Sequence, residues 1–130
     1  MRAVDTNLIV RLFAQDDAEH VGAARRALAD DAVFIAKSVI VEFEWVMRGA
    51  YGQSRAAIAS AIRAVLATEN VEVEDAGAVA RAVDWFDQGM DLADAVHLAS
   101  SGHADWFVTL DRALRRRATK LQTRPVVIEP

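Results

Sequence analysis

Residues 91–111 read DLADAVHLASSGHADWFVTLD, and this stretch sets the fold class. Gly89 ends the helix before it, and Asp91 starts a new helix that runs to about Gly102. Trp106-Phe107-Val108 then reads as a strand, and Asp111 opens a helix that reaches Lys120. The same alternation extends outward. Upstream, Ala3-Val4 is a short strand before Asp5-Thr6-Asn7 and a helix with apolar Leu8, Ile9, Leu12 and Phe13. Asp16-Asp17 opens a second helix, Val33-Phe34-Ile35-Ala36 is a buried-strand candidate, and Ser38 stands where an N-cap belongs for a helix reaching the Gly49–Gly52 region. An alanine-rich helix over 53–68, a strand at Val71-Glu72-Val73, a helix over about 76–88 and a last strand at Val126-Val127-Ile128 complete the series. Strands separated by helices predict an α/β fold: one domain over residues 1–130, with a mostly parallel central sheet flanked by helices on both faces. In such sheets the working crevice lies beyond the carboxyl ends of the strands.

Composition supports this reading. The chain has 130 residues and no cysteine, so disulfide frameworks, thiolate metal sites and thiol nucleophiles are excluded. Alanine supplies 26 of the hydrophobic residues, which favours closely packed helices over an all-β fold. Apolar runs are too short to cross a bilayer, so a soluble, cytoplasmic protein without a membrane partner is expected. The net charge of −4 hides a polarity: Arg112, Arg115, Arg116, Arg117, Lys120 and Arg124 stand in residues 112–124 with no acid among them. The distribution of charge is therefore more informative than the total.

Three aspartates occupy equivalent places in this layout. Asp5 follows the first strand, Asp111 follows the Trp106–Val108 strand, and Asp94 lies in the first turn of the helix begun by Asp91. The layout is expected to bring Asp5 and Asp111 to one sheet edge with Asp94 nearby. Aspartate is also a favoured N-cap, and capping suffices for Asp91 and for any one of the others taken alone. It does not account for Glu42. On a helical projection of residues 38–51, Val39, Phe43, Val46, Met47 and Ala50 form an apolar arc, Glu44 and Arg48 fall opposite as a solvated pair, and Glu42 lies at the arc's edge. An acid turned toward a core is paired, protonated or metal-bound. A salt bridge to an arginine is the competing reading. Four clustered carboxylates suit magnesium or manganese, which lower the pKa of a bound water and neutralise charge on a phosphoryl group.

Asp5-Thr6-Asn7, Glu42, the run from Asp91 to Ala99 and Thr109-Leu110-Asp111 together resemble a PIN domain, and within that family the VapC-type ribonuclease toxins of bacterial toxin–antitoxin pairs. The resemblance spans essentially the whole chain. By position it implies a catalytic and metal-binding quartet of Asp5, Glu42, Asp94 and Asp111, supported by Asn7, Thr109 and Asp91. It implies Mg2+- or Mn2+-dependent cleavage of single-stranded or loop RNA, leaving a 5′-phosphate and a 3′-hydroxyl. It also implies homodimers, inhibition by a small cognate antitoxin, and contact with operator DNA only through that antitoxin. Glu42 is left open between a ligand through water and an aid to deprotonation.

Other features carry less. Arg112, Arg115 and Arg116 either form a solvated helix face or steer RNA phosphates toward Asp111. Trp45, Trp85 and Trp106 are read as core or dimer packing rather than base-stacking surfaces. His97 is read as structural, with substrate contact as the alternative, and His20 and His103 lack partners at zinc-ligand spacing. The apolar edges of the helices around 8–13 and 39–51 are the expected dimer and antitoxin contacts. Two alternatives stand beside the toxin: a PIN-type RNA-processing nuclease, and a magnesium-dependent phosphoacceptor domain of the receiver type. The latter wants a lysine after its last core strand, where this chain has Glu129 and Pro130.

Overall fold

The computed structural model describes residues 1–14, 18–29 and 31–130. The helix opening expected at Asp16-Asp17 lies outside the described residues. The described chain is α/β, with seven helices and five strands, and every strand pair is parallel. It resolves into two compact units, Met1–Ala76 and Gly77–Pro130. Each unit carries its own parallel ladder. None of the helices among the described residues is long and apolar enough to cross a membrane.

The first unit contains β1 (Arg2–Ala3), α1 (Thr6–Ala14), α2 (Ala18–Ala29), β2 (Val33–Ile35), α3 (Lys37–Gly49), α4 (Arg55–Leu66) and β3 (Val71–Val73). The sheet order is β1-β2-β3, with Ala3 opposite Phe34 and Ile35 opposite Val73. Central β2 buries Val33 and Ile35 completely, as a strand with neighbours on both edges should. β1 begins one residue earlier than expected, but Val4 N still donates to Phe34 O at 3.2 Å, so the ladder runs up to Asp5. The edge-to-face pair Phe13–Phe43, with ring centroids 5.6 Å apart, joins α1 to α3. α4 buries Ile58, Ile62 and Val65 behind a Ser54 cap that accepts from Ala57 N.

Two expectations for α3 are corrected. Ser38 is not its N-cap; that position is Ala36, whose side chain cannot bond. The donor is satisfied from a distance instead, because Lys37 N donates to Glu74 Oε1 at 3.0 Å. The buried face is also rotated. Ile40, Phe43, Glu44 and Met47 lie inward, whereas Glu42 is exposed. Glu44, expected in solvent, is 4% exposed and accepts from Arg48 Nε at 2.8 Å. The i,i+4 pair is present, but the pattern of valines misplaced the side on which it sits.

The second unit holds α5 (Ala76–Asp87), α6 (Leu92–Ala99), β4 (Trp106–Val108), α7 (Arg112–Leu121) and β5 (Val126–Ile128). α5 begins at the boundary residue Ala76 and buries Val79, Val83 and Phe86 at i, i+4 and i+7. α6 buries Leu92, Ala95, Val96, Leu98 and Ala99. β4 pairs with β5 in the register Phe107 to Val127. With one ladder neighbour, β4 is an edge strand, and Trp106 and Val108 are exposed rather than covered.

Candidate active site

The predicted quartet divides two and two. Asp5 and Glu42 belong to the first unit, Asp94 and Asp111 to the second. Asp5 follows the carboxyl end of β1, is exposed, and has no hydrogen bond or ion pair among the described residues. Its carboxylate is thus not consumed by capping. Glu42 projects from α3 into solvent, because the buried sector is taken by Phe43, Glu44 and Met47. Glu42 is therefore not the acid at the edge of the core that the helical projection predicts. Asn7 is exposed and lines a groove of about 410 Å³ with Leu8, Arg11, His20, Ala23 and Ala24.

In the second unit Asp91, Asp94 and Asp111 line one cleft of about 270 Å³ with Gly89, Met90, Ala113, Leu114 and Arg117. Local structure puts them there. Asp91 caps α6, its Oδ2 accepting from Asp94 N at 3.1 Å, so Asp94 stands in the first helical turn. Asp111 caps α7, its Oδ1 accepting from Leu114 N at 3.0 Å. Thr109 Oγ1 accepts from Asp111 N at 3.0 Å and fixes the turn between β4 and α7. The crowding has an electrostatic consequence. Asp94 holds its proton more tightly than an ordinary aspartate, first through burial, then through the like charges of Asp91 and Asp111, with His97 opposing.

Asp94 is thus a carboxylate made costly to ionise by its own fold, in a cleft of carboxylates beyond a parallel strand. The PIN-domain family model matches residues 2–120, across both units. The chain belongs to the PIN-domain family. PIN domains are generally nucleases, and typically use divalent metal ions. No curated protein and no solved structure matches the chain.

The acids of this PIN domain fit a hard divalent cation in donor chemistry and in charge. They offer oxygen alone, and the repulsion that burdens Asp94 is what a cation relieves. Among the described residues, no group of three or more His, Asp or Glu side chains is itself arranged to hold an ion. Asp91 and Asp111 each turn one carboxylate oxygen to a helix N-terminus.

Arg112 and Arg115, read either as a solvated face or as steering RNA, both approach Glu129 Oε1, at 3.7 and 3.5 Å. Glu129 follows β5, which packs on α7, and so it reaches the same helix face. Arg116 is exposed and outside the cleft lining. The cation in the cleft is Arg117, which sequence reasoning did not select. The signal was there: residues 111, 114 and 117 recur at i, i+3 and i+6, one stripe of a helix. Trp45 and Trp106, read as packing residues, are 65% and 57% exposed.

Proposed function

We propose that this PIN domain is a metal-dependent endoribonuclease and the toxin of a toxin–antitoxin pair. The observation that carries the nuclease reading is the cleft in which Asp91 and Asp111 crowd a half-buried Asp94. Asp5, Glu42, Asp94 and Asp111 are the side chains that would hold Mg2+ or Mn2+. When bound, the ion supplies an acidified water and offsets charge on the scissile phosphate. A cation held there would offset the burial and the like charges that make Asp94 costly to ionise. Asp111 is kept in place by its bond to Leu114 N and by Thr109. Asp5 brings a carboxylate with no competing bond among the described residues. Glu42 either ligates through water or assists deprotonation. No protein nucleophile is needed.

Single-stranded or loop RNA is the proposed substrate, with 5′-phosphate and 3′-hydroxyl products. A homodimer, a small antitoxin that blocks the acids, and operator DNA reached through that antitoxin complete the proposed partners. Cleavage of single-stranded RNA with Mg2+ or Mn2+, followed by mapping of the ends, tests the chemistry. Asp5→Asn and Asp94→Asn keep shape and remove charge, so both should lose cleavage while remaining folded. Undiminished cleavage by both overturns the assignment. Growth arrest on expression, relieved by the product of the neighbouring gene, separates the toxin from an RNA-processing nuclease. A phosphoacceptor role is disfavoured by Glu129 and Pro130 after β5 and by Lys37, rather than an acid, near the end of β2.

A further inference from the structure

The acid-lined cleft of the second unit contains one base among its described lining residues, Arg117. Arg117 lines the same cleft as three aspartates, yet it forms no ion pair among the described residues. Its guanidinium is held instead by the backbone: Nη1 donates to Gln88 O at 3.4 Å. The guanidinium lies against the adjoining Gly89. A Cβ added at Gly89 would lie 2.9 Å from Arg117 Nη1 and 3.0 Å from Cζ. Gly89 also has φ +111°, a conformation that side chains resist. With one N–H spent on a carbonyl, the remaining guanidinium donors are without a protein acceptor among the described residues.

Its neighbours on α7 differ: Arg112 and Arg115 share Glu129. A cleft of carboxylates repels a phosphodiester, and a cation held inside it, unneutralised, lowers that barrier locally. The planar fork of arginine matches two phosphate oxygens at once. We infer that Arg117 is a substrate-binding residue that grips a phosphate of single-stranded RNA at the Asp94 cleft. This rests on the ribonuclease reading above.

The experiment measures binding of a labelled single-stranded RNA to the full chain across about 50–200 mM salt, with cleavage kinetics in parallel. Losing one phosphate contact should flatten the slope of log K against log salt by about 0.7. Arg117→Gln is expected to show that flattening, about tenfold weaker binding at low salt, and a raised KM with kcat changed less than about threefold. Arg117→Lys should restore the slope but not the full affinity, because a point charge replaces the fork. Lys120→Gln, the same charge loss on the same helix outside the cleft lining, should leave the slope unchanged. Wild-type slope and KM in Arg117→Gln, with cleavage intact, overturn this inference alone. A flattened slope in a protein whose wild type cleaves no better than Asp94→Asn overturns the nuclease reading and leaves the phosphate contact standing. No RNA binding by the wild type overturns both. If Arg117→Gln does not fold, Arg117→Lys decides, since wild-type affinity there refutes a fork contact.

Discussion

Replacing Arg48 by Met tests which face of α3 is buried, and with it whether Glu42 is free to serve a site. Residues 42 and 44 lie roughly 200° apart around a helix, so the two acids cannot both face the core. Glu44 is the buried one, with Arg48 Nε 2.8 Å away and side-chain exposures of 6% and 53%. Removing the arginine leaves a carboxylate without its charge-assisted partner. A fully buried pair broken in this way costs about 3–5 kcal/mol and a fully exposed one about 0.5 kcal/mol. With one partner buried and the other half in water, a hydrogen bond to a charged group sets the scale, about 2 kcal/mol. For a chain of this length that is a fall in Tm of about 6–10 °C. Urea unfolding at neutral pH measures it, with the m-value unchanged. Glu42→Ala should stay within about 0.5 kcal/mol of wild type, as exposed positions do. Arg48→Met combined with Glu44→Leu should recover most of the loss, because an apolar pair needs no charge compensation. If Arg48→Met costs under about 0.5 kcal/mol while Glu42→Ala costs about 2 kcal/mol, α3 buries the opposite acid and the reasoning fails.

Three further outcomes follow from the charges. The folded state raises the pKa of Asp94, so it binds that proton more tightly than the unfolded chain does. The associated stability is fully present below the ordinary aspartate range and is lost as pH rises through the folded value. Asp94→Asn should therefore be more stable than wild type at neutral pH, with the gap closing toward about pH 3; a gap that is constant with pH refutes this. Mg2+ or Mn2+ at about 100 times its Kd should stabilise the wild type by about 2.7 kcal/mol, and a chelator should reverse both that gain and cleavage. An equal gain in Asp94→Asn would move the ion away from Asp94. Glu129→Gln releases Arg112 and Arg115, so the salt dependence of RNA binding should steepen by up to about 0.7 for each arginine that meets RNA. Its cost in stability should be no more than about 0.5 kcal/mol, since these pairs are exposed, and an unchanged slope would remove both arginines from the RNA path.

The sequence by itself determined the order of strands and helices and the positions of Asp5, Asp94 and Asp111 just beyond strands or in first helical turns. These features are local: periodicity, glycine breaks and capping preference act over a few residues. It also showed that Glu44 and Arg48 pair, because i,i+4 spacing holds whichever way a helix faces. Only the tertiary structure decided which sector of α3 loses its water, and so that Glu44 is buried and Glu42 exposed. It likewise decided that Asp91 and Asp111 crowd Asp94, that Glu129 occupies Arg112 and Arg115, and that Arg117 rests against Gly89. The periodicity of a helix fixes the angles between its own side chains, whereas desolvation and partner charges are imposed by elements distant in the chain, which no local pattern encodes.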